Sequence, residues 1–312
     1  MILTVTFNPA VDLDFIINDL RPGGRYRANV SRRSPGGAGV NMSIILARLG
    51  QASIATGFLA GFNASYILDS LRREKVFSHF IHTRGETRIN VCITDVEKNV
   101  ETRLHEIGLE IPSQDRAAFL KNYERTLGRV ERVSMGGSLS PGLDNSLYAP
   151  LIRNAKNNSI PTILHPTEED LDVVLEEAPS VVKLDYQASR LDTRQGVPDG
   201  KIDAFMARAE TLHRKGTEWV IASLAREKVI FSSLKGAWIA EGQSSEMLYV
   251  YAVEDALLAG MIAAMTERAS PEEVIRLAMA CNWECATHPE KFPRDRACVE
   301  ALCQRVLLDK VA

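Results

Sequence analysis

Ile2-Leu3-Thr4-Val5-Thr6-Phe7 opens the chain as a short apolar run that stops at Asn8-Pro9. A run of this length, bounded by turn residues, reads as a buried strand. Val40–Leu49 then carries apolar residues at helical spacing and closes at Gly50, and Ile54–Phe58 is a second short apolar run. Strand, helix, strand in this order predicts a βαβ unit, and the same alternation recurs downstream. Helical patterns over Asn63–Lys75, Arg116–Gly128, Leu147–Asn157, Leu171–Glu177 and Ile202–Lys215 interleave with extended ones over Val76–His82, Val130–Met135, Thr162–Leu164, Val181–Lys183 and Trp219–Ser223. Such repetition predicts an α/β fold with a mostly parallel sheet covered by helices on both faces. Asp255–Arg268, Pro271–Thr287 and Arg294–Val306 are expected to be three consecutive helices.

Two segments break the rhythm. Residues 13–33 combine alternating apolar residues, a Gly23-Gly24 turn and many arginines, and residues 87–104 read as two strands around Asp95–Asn99. Both suit a small β lid projecting from the main sheet. With no Ser/Gly-rich linker to divide it, the chain is expected to be one domain over residues 1–312.

The composition excludes several function classes. The 312 residues are 45% hydrophobic and 25% charged, which rules out a largely disordered chain. Thirty-seven basic and 40 acidic side chains leave a net charge of −3, with no basic excess to argue for nucleic acid. The most continuous apolar run, Ala256–Met265, is half of the ~20 residues that span a membrane, so no membrane partner is expected. The N-terminus lacks the charged region of a secretory signal. Five cysteines, without zinc-site spacing, point to a reduced, cytoplasmic protein.

Pro35-Gly36-Gly37-Ala38-Gly39-Val40-Asn41 leads into a helix. Glycines before a helix let backbone N–H groups approach a ligand, and the helix N-terminus favours negative charge; the same residues also make an ordinary flexible turn. Asp12 follows the first strand, at the end of a parallel sheet where ligands gather, and could accept hydrogen bonds from sugar hydroxyls or form a simple Asx turn. Arg25, Arg27, Arg32, Arg33, Arg88 and Arg103 crowd the lid. Guanidinium groups suit phosphate or carboxylate, although a solvated basic face has the same composition. Gly136-Gly137-Ser138-Leu139-Ser140-Pro141-Gly142 follows a strand, as either a pocket wall or a connection, and Asp255 stands where a helix begins, as either catalyst or N-cap.

Taken in order, these pieces resemble the ribokinase-like (PfkB) carbohydrate kinase family, most closely its minor 6-phosphofructokinase and tagatose-6-phosphate kinase branch. Thr4–Asp12 is similar to the family's opening strand, Gly36–Asn41 to its GGxGxN signature and Thr87-Arg88-Ile89-Asn90 to its lid motif. Gly137–Gly142 is similar to its GSLPPG motif, and Glu254-Asp255-Ala256 falls at the end of its GAGD motif. The resemblance implies a three-layer α/β/α sandwich with a β lid that often forms a dimer contact, hence a homodimer. It implies transfer of the γ-phosphate of ATP, with Mg2+, to a hydroxyl of fructose 6-phosphate or a related ketohexose phosphate. Asp255 corresponds to the catalytic base. Sugar contacts map onto Asp12, Gly36, Gly37, Asn41 and Asn90, and contacts to the phosphate already on the sugar onto Arg25, Arg27, Arg88, Arg103 and Ser138. The nucleotide side maps onto Lys183, Asp185, Ser223, Ala252, Glu254 and Trp283, with Asp185 acting on magnesium through water.

The departures from the family pattern cluster on that nucleotide side. Ala252-Val253-Glu254 replaces Gly-Ala-Gly before the base, restricting the backbone and adding a negative charge near the expected phosphate. Ala188 stands for the glutamate of KPNxxE, Ser223-Leu224-Ala225 with Lys228 lacks the glycines of SLGxxG, and the large Trp283 lies where small residues face adenine. Two functions therefore compete: an ATP-dependent sugar-phosphate kinase, and a catalytically impaired homologue that senses a phosphosugar. A nicotinamide oxidoreductase carries little weight, because no GxGxxG follows the first strand.

Overall fold

The computed structural model describes residues 1–28, 30–98, 100–166, 172–184, 200–225, 228–242 and 254–311. The opening run forms β1 (Ile2–Thr6), and its alternation decides the layering. Leu3 and Val5 point into one core, with Phe119 and Tyr123 of α3 (Ser113–Leu127) and Leu151 and Ile152 of α4 (Tyr148–Asn157). Ile2 points the other way, to a core shared by α1 (Ala38–Arg48), α2 (Gly61–Arg73), α7 (Glu254–Thr266) and α8 (Pro271–Thr287). Period-two alternation thus builds a three-layer sandwich, each fully buried Leu, Ile or Phe contributing ~1.5–3 kcal/mol.

Seven strands run parallel, in the order β5 (Phe77–His82), β4 (Ser53–Leu59), β1, β8 (Arg132–Gly137), β9 (Thr162–Pro166), β10 (Val181–Leu184) and β11 (Trp219–Ala225). Beyond β11 the ten-stranded sheet turns antiparallel through β12 (Lys228–Ser233), β13 (Gly236–Glu241) and β14 (Leu307–Lys310). The alternation in sequence does not announce these last strands. β14 is short and mostly exposed, and only its ladder to β13 makes it a strand. The third C-terminal helix is correspondingly shorter than expected: α9 spans Arg296–Cys303, and the chain then leaves it for β14.

A second sheet of four strands has the order β3 (Val30–Gly36), β2 (Ala10–Ile17), β6 (Arg88–Asp95) and β7 (Val100–His105). Its strands extend past the 13–33 segment at both ends. β2 and β6 run parallel with Asp12 opposite Asn90, which sets these two polar side chains next to each other. Asp14 of β2 ion-pairs Lys291 at 2.7 Å, and Arg32 of β3 donates to the Pro289 carbonyl at 2.9 Å, so the lid is fastened to the segment after α8. The five cysteines are unpaired, and no described helix is long and apolar enough to cross a membrane.

Candidate active site

Strand ends and helix starts converge at the C-terminal edge of the parallel strands, where open α/β sheets bind ligands. A cavity of about 190 Å³ lies there. Thr6 ends β1, Gly136 and Gly137 end β8, and His165 lies near the end of β9. Gly37 and Asn41 come from the start of α1, Glu254 and Asp255 from the start of α7, and Arg88 from the first position of β6 in the lid. Residues from the N-terminal third and the last quarter of the chain therefore face one space.

Gly37 caps α1 with φ 106°, and a Cβ there would come within 2.6 Å of Thr6 Cγ2. Only glycine tolerates both constraints, so the turn carries Asn41 to the cavity one helical turn later. Asn41 Nδ2 donates to Asp255 Oδ2 at 3.0 Å. Gly36 ends β3 so close to Asp12 that a Cβ would meet that carboxylate at 2.6 Å. Asn90 Nδ2 donates to Asp12 Oδ1 at 2.9 Å. Arg88 spreads its guanidinium over the Asn8 carbonyl (3.0 Å), Ser138 Oγ (3.2 Å) and the Glu106 carbonyl (3.0 Å).

Electrostatics separate the two carboxylates of α7. Burial is the main force pushing the Asp255 pKa up to about 6, Glu254 adds to it, and His165, Asn41 and Lys183 oppose it. Burial also disfavours the charged form of Glu254, but Lys183 and His165 outweigh it and hold that carboxyl well below the usual range. Lys183 Nζ lies 2.7 Å from Glu254 Oε1, and His165 Nε2 lies 3.0 Å from Oε2. Burial lowers the pKa of Arg88, a sign that its charge is only partly solvated.

Polar groups left over at this site point to a ligand. Thr6 Oγ1, Asn41 Oδ1, Asn90 Oδ1, Arg88 Nε and His165 Nδ1 are buried without a hydrogen-bond partner among the described residues. Buried polar atoms seldom go unpaired, so such a concentration fits a polyhydroxylated partner. Magnesium fits less well. Among the described residues no three carboxylate, imidazole or thiolate groups gather around one point, and both oxygens of Glu254 are already engaged by bases.

The expected site residues are not all assembled. Gly37, Asn41, Arg88, Ser138, Glu254 and Asp255 line the cavity, with Asp12, Gly36 and Asn90 beside it at the lid base. Arg25 and Arg27 are exposed in the segment joining β2 to β3 and do not line it. Arg103 lies on β7, ion-paired with Glu101 at 3.0 Å. Lys183 is wholly buried under Glu254. Ser223 marks a register shift in β11, and Trp283 is buried on α8 with the Arg305 guanidinium 4.6 Å from its ring centre. Asp185 and Ala252 lie outside the described residues, as do Val253 and Ala188. His165 and Thr6 were not singled out from the sequence. The signal available for both was their place at the end of a parallel strand.

Comparison with known proteins identifies the family of the chain. Residues 5–289 match the family described as pfkB family carbohydrate kinase. A Thermotoga maritima protein described as a possible 1-phosphofructokinase is 27% identical, with a TM-score of 0.87 over 100% of this chain and 99% of that one. Escherichia coli phosphofructokinase-2 in complex with fructose-6-phosphate has a TM-score of 0.81 at 19% identity, over 97% of this chain and 98% of that one. The tetrameric inhibited form of the same E. coli enzyme gives 0.83 at 19% identity over the same shares. At that identity the E. coli structures speak for the fold alone.

Proposed function

The chain belongs to the pfkB carbohydrate kinase family, and from that premise we propose that it transfers the γ-phosphate of ATP to a hydroxyl of fructose 6-phosphate or a related ketohexose phosphate. The observation that carries this reading is the single cavity shared by the Asp255 carboxyl and the Arg88 guanidinium. Arg88, with Ser138, grips the phosphate already on the sugar, since a partly desolvated guanidinium interacts strongly with an anion. Asn41 and Asp12 accept or donate at sugar hydroxyls. Asp255, steadied by Asn41, orients the attacking hydroxyl and takes its proton as the new O–P bond forms; the bond between the γ-phosphorus and the bridging oxygen breaks, and ADP leaves. The start of α7 contributes the positive end of a 13-residue helix. Asp185 is the residue that would hold magnesium through water, and the ion, bound with the ATP phosphates, would supply positive charge there. Lys183, Ser223, Ala252 and Trp283 remain the candidates for the nucleotide side.

The proposal includes a cytoplasmic homodimer joined through the lid. Leu13, Phe15, Val91, Ile93 and Leu104 share one face of that sheet by register, and Leu104 is 58% exposed. Pairing that face would remove apolar area from water. It also offers Arg25 and Arg27, exposed here, a way to reach a bound phosphate. Coupled ADP-release assays over a panel of sugar phosphates test the activity. Turnover no higher than that of an Asp255→Asn control ends the kinase reading. The sensor reading is favoured by one observation: Glu254 engages the lysine that would otherwise face the nucleotide side. It predicts calorimetric binding of the sugar phosphate with little binding of ATP.

A further inference from the structure

β9 and β10 are parallel neighbours with Ile163 opposite Val181 and Leu164 opposite Val182. The same register sets His165 beside Lys183, two bases adjacent on one face of the sheet. Lys183 is fully buried and His165 nearly so, at 0% and 7% side-chain exposure. A buried ammonium without a counter-ion costs several kcal/mol or loses its proton. Glu254 answers both bases at once, with Oε1 on Lys183 and Oε2 on His165. Since Glu254 is the first residue of α7, this bridge pins the helix start to two strands. Asp255 follows directly and is held from the opposite side by Asn41 of α1.

We propose that Lys183, Glu254 and His165 form a positioning network for Asp255, and that Glu254 is a support of the active site rather than a lesion in it. The inference builds on the kinase reading for its rate measurements and on geometry for the rest. The charged or titratable groups around Asp255 are His165 from β9, Lys183 from β10, Glu254 on its own helix and Arg88 across the cavity from the lid, with the neutral Asn41 from α1. Glu254 touches no reacting atom in this scheme. It fixes the start of the helix that presents the base, and displacement of such a group by ~1 Å costs on the order of 10²-fold in rate. The view also reverses the expectation drawn from the altered motif. Glycine at 254 would uncover a buried lysine rather than restore a phosphate-binding turn, so Glu254→Gly should lose activity.

The test uses the full-length protein as Glu254→Gln, His165→Asn and the double variant Lys183→Met with Glu254→Met. The double variant removes both charges and keeps apolar bulk, which typically restores folding. Glu254→Gln should lower kcat by ~10- to 100-fold and leave KM for the sugar phosphate within about threefold, because Arg88, Ser138 and Asn41 are untouched. His165→Asn should do the same more weakly. The double variant should melt near the wild type and still show low kcat, separating positioning from unfolding. Carbon-13 NMR of the Asp255 carboxyl should give a lower midpoint in Glu254→Gln, since an anion is removed and two bases are released toward it. Wild-type kcat in the folded double variant, or a gain in Glu254→Gly, would overturn the proposal. If the wild type turns over no sugar phosphate, the kinase reading fails. The carboxyl titration then decides: a lowered midpoint supports the network, and an unchanged one rejects it.

Discussion

The two flanks of Asp255 differ in whether a counter-charge from the neighbouring helix closes onto them. On the sugar flank, Asn41, Asn90, Arg88 and Thr6 keep buried donors or acceptors with no partner among the described residues. On the other flank, Lys183 and His165 both close onto Glu254. The first flank has the polar deficit of a cradle that a ligand completes. The second has a counter-charge for its buried lysine and so works as a buttress. A shared counter-charge thus separates the residues that hold from those that bind, even though His165 Nδ1 and Lys183 Nζ also lack a hydrogen-bond partner among the described residues.

The largest expected effect tests the carboxylate between the flanks. Asp255→Asn should reduce kcat by ~10³-fold or more while removing a proton acceptor of similar size. The same change should raise stability at neutral pH. The folded-state pKa of Asp255 is raised from 3.8 to about 6, so the native state holds that proton more tightly than the unfolded chain. Stability therefore falls as pH rises between those values, and the penalty is fully present above about pH 6. Its removal is worth roughly 1–3 kcal/mol, measurable as a higher Tm at pH 7.5. Unchanged stability would mean that Asp255 is not desolvated.

Arg88→Ala comes next. It should raise KM for the sugar phosphate by ~30- to 150-fold, with little change for an unphosphorylated sugar, because a charge-assisted contact is worth ~2–3 kcal/mol. Equal losses with both sugars would move Arg88 from the binding flank to the supporting one. The acid limb of the pH–rate profile should fall around pH 6, as protonated Asp255 stops accepting the hydroxyl proton. A limb near pH 4 would place the carboxylate in water. The smallest effect is expected for Arg103→Ala. That side chain pairs with Glu101 and does not line the cavity, so KM should shift by less than about threefold. A change as large as that of Arg88 would place Arg103 in the cradle, by lid closure or assembly.

The lid shows how far local pattern carries. Its arginines, its two interruptions of the β/α rhythm and Arg88 were all visible in the residues, yet the composition of Arg25, Arg27, Arg88 and Arg103 is the same for a phosphate grip and a solvated face. Only placement separates them. Arg88 starts β6 beside Asn8 and Ser138, whereas Arg25 and Arg27 lie out on an exposed segment. The antiparallel edge gives the same lesson. β14 has too few residues to declare itself and exists because β13 offers a ladder.

Short-range physics sufficed for the rest of the frame. Alternating apolar residues can bury only one face of a strand, helical spacing only one stripe, and glycine alone admits the turn before α1. The amino-acid order therefore determined the layers, while Asp12, Asn41, Arg88 and Asp255 stood out through the resemblance of their ordered motifs to the family. Tertiary structure alone decided which charge answers which. Glu254 reads in the chain as an added anion beside a catalytic base, but folding brings it to Lys183 and His165, 71 and 89 residues earlier. Coulomb attraction and desolvation depend on distance through space and on the surrounding dielectric, and neither quantity is written in sequence separation.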